Sequence, residues 1–256
     1  MRPVRNISYA IILILVFTGS FVFLIRNPQW YSSIERSRPL KAALVDEVSQ
    51  TDPDPYLVVN VTNALTRVGY TVDDYGPNNV TVDFFKTLPL KGYGVIILRN
   101  HSATLKGNVI ALVTSEPFDP GKFVSEQQSG LVVEAKLRPS NTTYFGITPT
   151  FVREEMQGTF PNTVIVVTGC AGLADSEMAQ AFVTRGAEVY ISWDQIVLVN
   201  QSDGGAILLI QSMTTGHTID YAVATATLNA PSSPLYSSQL RYYPLDKGRV
   251  ILSPQA

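Results

Sequence analysis

Hydrophobic residues along the chain follow two different periods, and their alternation predicts the fold class. Nearly continuous aliphatic runs at residues 42–45, 95–98 and 163–168 are typical of strands that are covered on both faces. Residues 55–68 and 176–185 carry apolar residues at helical spacing, and a glycine follows each of them as a stop signal. Strands that alternate with helices predict an α/β domain with a mostly parallel sheet flanked by helices.

Weaker patterns complete the predicted set of elements. Further strands are expected at residues 70–75, 188–193 and 240–243, and further helices at residues 81–88, 150–156, 205–213 and 218–228. Residues 108–115 and 131–137 are instead alternating or β-branched, with turn residues between them. This pattern predicts an antiparallel hairpin inserted after the third strand. The triplet Asp203-Gly204-Gly205 predicts a turn.

One apolar segment is long enough to cross a membrane. Residues 7–25 contain no charged side chain, and a helix of about 20 apolar residues spans a bilayer. A cleavable signal peptide usually has a shorter apolar region that ends in small residues, whereas this run ends in Phe-Val-Phe-Leu-Ile. The sequence therefore predicts a short tail at 1–6, a transmembrane anchor at 7–25, a stalk at 26–40 and an α/β domain at 41–256.

The side of the membrane on which the domain lies is not decided by charge alone. Arg2 and Arg5 favour a cytoplasmic amino terminus, but Arg26 and the basic residues of the stalk oppose it. Sequons of the form Asn-x-Ser/Thr favour an external domain, and they begin at Asn60, Asn79, Asn100, Asn141 and Asn200. We expect a single-pass glycoprotein of the cell membrane with its carboxyl-terminal domain outside. A sensor domain that faces the cytosol is the alternative.

Charge and motif content exclude several classes of function. All 21 acidic residues follow Arg26, whereas Arg2, Arg5 and Arg26 are three of the 19 basic residues, so the domain has an acidic excess and no basic run. A phosphate-neutralising surface for nucleic acid is therefore not expected. The chain has no phosphate-binding loop, no His-Glu-x-x-His motif and no paired cysteines, so we expect no metal and no cofactor.

His101 and Cys170 stand just past the carboxyl ends of two predicted buried strands. Functional residues of parallel sheets gather in such loops, so neighbouring strands would bring both side chains to one crevice. A nearby imidazole can accept the thiol proton and later protonate a leaving amine. We therefore predict a cysteine-peptidase dyad of His101 and Cys170. The alternative is a structural loop histidine and a cysteine that acts as a small buried hydrophobe.

The residues around Cys170 suit the same chemistry. Gly169, Ala171 and Gly172 supply backbone N–H groups, and a glycine two residues after the nucleophile lets these groups turn towards a developing oxyanion. We therefore expect the backbone from Gly169 to Gly172 to form an oxyanion site.

The stretches that contain His101 and Cys170 resemble the caspase-like cysteine peptidases, which include caspases, gingipains, legumains and CHAT domains. These families place His after one aliphatic strand and Cys after the next, and VIILRNHSA and TVIVVTGCAGL have this layout. MAQAFVTRGAEVYISW and TTGHTIDYAVATA resemble later parts of the gingipain and CHAT branch. The resemblance covers residues 40 to 230. Two positions depart from the family, since Ser102 stands where Gly usually follows the histidine and Gly169 where Ala usually precedes the cysteine.

The resemblance implies a caspase-like fold and a cysteine peptidase. Together with the predicted anchor and orientation, it leads us to expect a membrane-anchored peptidase that acts on extracytoplasmic proteins or peptides. If the two departures have inactivated the site, it implies a binding or scaffold module of the same fold. In this fold the end of the strand after the cysteine borders the first substrate pocket, which here is Ser192, Trp193 and Asp194. Asp194 would then select Lys or Arg by charge pairing. A simple turn aspartate is the alternative.

Overall fold

Ten β-strands and seven α-helices form in the residues that the structure, a computed structural model, describes: 38–137, 142–233 and 235–252. The strands are β1 (Lys41–Asp46), β2 (Thr71–Tyr75), β3 (Val95–Arg99), β4 (Ser102–Thr104), β5 (Ile110–Pro117), β6 (Val132–Lys136), β7 (Thr143–Ile147), β8 (Thr163–Val167), β9 (Ala187–Trp193) and β10 (Leu240–Tyr243). The helices are α1 (Pro55–Arg67), α2 (Val82–Thr87), α3 (Val124–Gln128), α4 (Pro149–Glu154), α5 (Glu177–Thr184), α6 (Val199–Thr214) and α7 (Ile219–Asn229).

A six-stranded sheet in the order β10-β9-β8-β3-β1-β2 organises the domain. Every neighbouring pair is parallel except β9 and β10, which are antiparallel. The two strands at its centre, β3 and β8, are buried at every residue. The predicted α/β fold with a mostly parallel sheet flanked by helices is confirmed.

Side chains of the sheet alternate between two helical layers. Val95 and Ile97 of β3 pack with α1, α6 and α7 on one face, whereas Ile96 and Leu98 pack with α2, α4 and α5 on the other. This alternation is the ordinary consequence of the two-residue repeat of a strand. Because both faces are apolar, a continuous aliphatic run is the pattern such a strand needs.

Helix α1 shows how local sequence defines an element. The Asp54 side chain accepts hydrogen bonds from the N–H groups of Tyr56 and Leu57 and so caps the amino end. Pro55 occupies the first turn, where its missing N–H costs nothing. The chain turns away at Gly69, whose φ of 91° lies in the left-handed region that glycine tolerates.

The predicted inserted hairpin is wrong in its pairing. Strands β5 and β6 do not pair directly, because β7 lies between them in a four-stranded antiparallel sheet of order β4-β5-β7-β6. The sequence pattern did not identify β7, which contains Gly146, a residue that weakens a strand signal. Gly146 suits this central position because a β-carbon there would lie 3.3 Å from a methyl group of Val133 and 3.4 Å from the side chain of Ala111.

The predicted anchor lies outside the described residues, as do the tail and most of the stalk. Within 38–137, 142–233 and 235–252, no helix combines the length and apolarity needed to cross a bilayer. The folded domain includes Arg38, which the sequence places in the stalk. Its guanidinium donates to the carbonyl oxygens of Asn162 and Ile251, each at 3.0 Å, and pairs with Glu188.

Candidate active site

The carboxyl ends of β3 and β8 lead directly into the two predicted catalytic residues. The strands are parallel neighbours, with Leu98 opposite Val167 in the last pair. The Thr168 N–H extends this ladder by donating to the Leu98 carbonyl oxygen at 2.9 Å. His101 and Cys170 therefore leave the sheet at the same edge, and the adjacency of strands that the predicted dyad requires is present.

The loop that holds His101 contacts the turn that holds Cys170. A β-carbon added at Gly169 would lie 2.5 Å from the Asn100 carbonyl oxygen and closer still to the Ser102 hydroxyl. Real β-carbons do not approach backbone atoms so closely, so only glycine fits at this point. The residues on both sides of His101 thus touch the residue before Cys170.

A buried carboxylate orients His101. The ring Nδ1 lies 2.9 Å from Glu47 Oε2, and the His101 backbone N–H donates to the same oxygen at 2.7 Å. Glu47 is fully buried, whereas 31% of the His101 side chain is exposed. Since the carboxylate accepts at Nδ1, we assign the ring proton to Nδ1, which leaves Nε2 free as a base. Glu47 follows β1 directly, so the same strand-end argument could have found it from the sequence.

A buried ion network lies behind the His101 loop. The Arg99 side chain donates to both carboxylate oxygens of Asp203, at 2.9 and 2.7 Å, and to Asp46 at 2.8 Å. Burial alone would lower the pKa of Arg99, but its bonds to Asp203 and Asp46 outweigh this and raise the pKa above its usual value. Burial raises the pKa of Asp203, and the pairing with Arg99 offsets the rise only in part. The network ties the ends of β1 and β3 to α6.

Cys170 lies at the margin of the core and is partly exposed. Its thiol donates to the Val197 carbonyl oxygen, with sulfur and oxygen 3.4 Å apart. The next residue, Ala171, has a φ of 55°, which strains a residue with a β-carbon. The cysteine is therefore neither sealed in the interior nor free of partners.

The predicted oxyanion donors differ in availability. The Ala171 N–H donates to the Gln195 carbonyl oxygen at 2.9 Å and is occupied. The N–H groups of Gly169, Cys170 and Gly172 donate no hydrogen bond to any residue that the structure describes. Gly172 has a packing role, because a β-carbon there would clash with the Ser192 hydroxyl. Two of the three expected donors, the N–H groups of Gly169 and Gly172, thus remain open, and so does that of Cys170.

The predicted pocket residues do not form an exposed wall. Ser192 and Trp193 are buried, and the Ser192 hydroxyl donates to the Val167 carbonyl oxygen at 2.7 Å. Asp194 is partly exposed, but Arg241 lies 3.2 Å from its carboxylate and the Gln239 N–H donates to it at 2.8 Å. The side chains of Ser192 and Trp193 are therefore turned into the core, and a substrate pocket bordered by this segment stays a prediction. Only Asp194 is accessible.

Three buried polar atoms around His101 have no hydrogen-bond partner among the residues that the structure describes. They are Glu47 Oε1, Asn100 Oδ1 and Ser102 Oγ. Buried polar atoms are usually paired, so these three mark hydrogen-bonding capacity open to water or a ligand. Asn100 is only 1% exposed, and a glycan on its side chain would not fit the folded domain.

A groove of about 530 Å³ lies away from these residues, between the carboxyl-terminal halves of α1 and α6. Arg67 and Gln211 are among its lining residues. Both helices run back from the carboxyl edge of the sheet, so the groove lies towards the opposite edge and is separate from the strand-end site.

No protein-family model matches the chain, and no curated protein matches it. Among the described residues, no group of three or more His, Cys, Asp or Glu side chains is placed to hold a metal ion. The function proposed below rests on the geometry of the strand-end site and on the sequence resemblance.

Proposed function

We propose that the chain is a caspase-like cysteine peptidase in which Cys170 is the nucleophile and His101 the general acid and base. The observation that carries this proposal is the adjacency of β3 and β8, whose contacting loops hold the two residues. Histidine after one buried strand and cysteine after its neighbour is the layout that the sequence resemblance implies. His101 and Cys170 are both partly exposed residues, as contact with a bound peptide would require.

The reaction is a two-step acyl transfer. Cys170 gives its proton to His101 Nε2 and attacks the scissile carbonyl carbon, so that a carbon–sulfur bond forms and the carbonyl oxygen becomes an oxyanion. When the oxyanion collapses, the carbon–nitrogen bond breaks and the amine takes the proton from His101. Water then gives a proton to His101 and attacks the thioester, which releases the carboxyl product and the thiolate.

Glu47 acts as a positioning residue in this scheme. Its carboxylate accepts the Nδ1 proton and so leaves the lone pair on Nε2, where it can act as a base. The N–H groups of Gly169 and Cys170, which donate to no residue in the described part of the chain, are candidate donors to the oxyanion. Removing one such donor typically slows an enzyme by roughly 100-fold to 1,000-fold.

Cleavage of a peptide library by the full chain tests the proposal. Cys170→Ala and His101→Ala should each abolish cleavage. The chain has two histidines, and His217 offers a matched control because its ring stacks on Tyr221, 4.3 Å away between centroids. His217→Ala should cleave like the wild type. A wild-type chain that cleaves nothing, or a Cys170→Ala variant that still cleaves, would overturn the proposal.

We also propose that residues 7–25 tether the domain to the cell membrane and that the domain faces outward. Two sequons, at Asn79 and Asn200, have exposed asparagines in the folded domain and suit N-glycosylation. Glycosidase treatment should increase the gel mobility of the wild type, and the combined Asn79→Gln and Asn200→Gln variant should lose most of this shift. A domain that resists external protease on intact cells would contradict an outward orientation.

A second candidate function is that of a binding module without catalysis. It is favoured by the occupied state of the Cys170 thiol and the Ala171 N–H, which both donate to backbone carbonyls. In a binding module, Cys170→Ala would leave partner binding intact, and the wild type would cleave no peptide.

A further inference from the structure

One segment, residues 194–198, accepts hydrogen bonds from two groups that the proposed reaction needs. It connects β9 to α6 and lies against the Cys170 turn. The carbonyl oxygen of Val197 accepts a hydrogen bond from the Cys170 thiol. The carbonyl oxygen of Gln195 accepts one from the Ala171 N–H at 2.9 Å. The thiol proton and one potential oxyanion donor are therefore both bound by the same short stretch of backbone.

The segment is fastened by its neighbour in space, the chain just before β10. The Ser238 hydroxyl donates to the Ile196 carbonyl oxygen at 2.7 Å. Asp194 and Gln239 exchange two hydrogen bonds, from the Asp194 N–H at 3.0 Å and from the Gln239 N–H to the Asp194 carboxylate at 2.8 Å. We call the 194–198 segment the lid and Ser238 its latch.

Little apolar burial holds the lid in place. Ile196 is 51% exposed and Leu198 is 37% exposed, and only Val197 is buried among its apolar side chains. A hydrogen bond typically contributes about 0.5–1.5 kcal/mol net to a folded structure. A segment held mainly by a few such bonds belongs to the parts of a protein that open most readily.

We propose that the lid keeps the site in a resting state and that its displacement from the Cys170 turn activates the thiol. This inference rests on the proposed function, because it concerns regulation of the same site. With the lid displaced, the Cys170 thiol can pass its proton to His101, and the Ala171 N–H joins those of Gly169 and Cys170 as a donor to the oxyanion. The resting and working states then differ by one short segment.

The latch can be removed without touching the site. Ser238→Ala deletes the bond to Ile196, and Ser237→Ala is a matched control because Ser237 is exposed and its hydroxyl makes no hydrogen bond within the described ranges. The measured quantity is the rate at which iodoacetamide alkylates Cys170 in the full chain. In that reaction a sulfur–carbon bond forms, iodide leaves and the thiol proton goes to solvent.

Ser238→Ala should be alkylated about 2-fold to 10-fold faster than the wild type, since this is the range that one hydrogen bond corresponds to. Ser237→Ala should react at the wild-type rate. Hydrogen exchange of the Ala171 amide should accelerate in parallel, because its acceptor belongs to the lid. Equal alkylation and exchange rates in all three proteins would overturn the proposal.

A second variant and a comparison with peptide cleavage allow the lid and the peptidase to be tested separately. If Ser238→Ala does not fold, Arg241→Ala takes its place, because it removes the 3.2 Å contact with Asp194 at the start of the lid, and it should accelerate alkylation to a smaller extent. Neither readout needs peptide cleavage. Faster alkylation without cleavage would uphold the lid and refute the peptidase, and the reverse pattern would refute only the lid.

Discussion

The His101 loop and the Cys170 turn meet at one edge of the sheet but are held by different forces. Charged side chains hold the first, through the Glu47 bonds to His101 and the buried pairing of Arg99. Backbone geometry holds the second, through the close approach at Gly169 and the positive φ of Ala171. The His101 loop, which we call the charged half of the site, therefore depends on keeping buried charges paired. The Cys170 turn, which we call the backbone half, depends on the absence of side-chain atoms at Gly169.

The largest expected effect on stability comes from a substitution that disrupts the charged half. Arg99→Met leaves the carboxylates of Asp46 and Asp203 buried without their partner. Loss of one member of a buried ion pair typically costs about 3–5 kcal/mol. We expect a decrease of this size in the free energy of unfolding, measured by urea titration of the full chain in detergent.

Arg241→Met is the control for the charged half. Arg241 pairs with Asp194, and 58% of the Arg241 side chain is accessible to solvent. Such exposed pairs contribute about 0–1 kcal/mol. A cost for Arg99→Met no greater than that for Arg241→Met would show that the network does not hold the loop.

The next effect breaks the backbone half. Gly169→Ala forces a β-carbon against the Asn100 carbonyl oxygen and should separate the two loops. Overpacking of this kind costs about 1–3 kcal/mol, and peptide cleavage should fall with it. Gly76→Ala is the control, because its β-carbon would meet no atom within 4 Å and its φ of −71° suits alanine. Equal stability of the two variants would contradict the proposed close approach.

A pH titration sharpens the description of the charged half. Burial raises the pKa of Asp203, so between the ordinary Asp value of about 3.9 and the raised value the folded state binds more protons than the unfolded state. The contribution of this group to stability therefore falls as pH rises through that window. Asp203→Asn removes the dependence, so its free energy of unfolding relative to the wild type should increase with pH there. A difference that does not change with pH would refute the raised pKa.

The smallest effect concerns strain in the backbone half. A left-handed conformation costs a residue with a β-carbon about 1–2 kcal/mol, and glycine gives back about 0.5–1 kcal/mol through its larger unfolded-state entropy. Ala171→Gly should therefore stabilise the chain by about 0–1.5 kcal/mol in urea unfolding. Ala174→Gly, at a residue whose φ is not positive, should instead destabilise it slightly. Stabilisation by both changes would show that strain at Ala171 is not the cause.

The triplet Asp203-Gly204-Gly205 shows why some elements could not be predicted. Two glycines indicate a turn, yet all three residues lie inside α6. A β-carbon at Gly205 would lie 2.7 Å from the Trp193 ring, and one at Gly204 would lie 2.6 Å from Pro231. The glycines are needed because the helix packs closely against neighbours that are distant in the sequence, and local propensity contains no information about them.

The sequence by itself determined the two central strands and the positions of His101 and Cys170 at their ends. A strand that is buried on both faces has aliphatic residues at every position, and such a run can be recognised from the local sequence alone. Only the tertiary structure decided that these strands are neighbours, that Glu47 contacts His101, and that Val197 covers the Cys170 thiol. Each of these contacts joins residues that are far apart along the chain, and it is the packing of the whole domain that selects them.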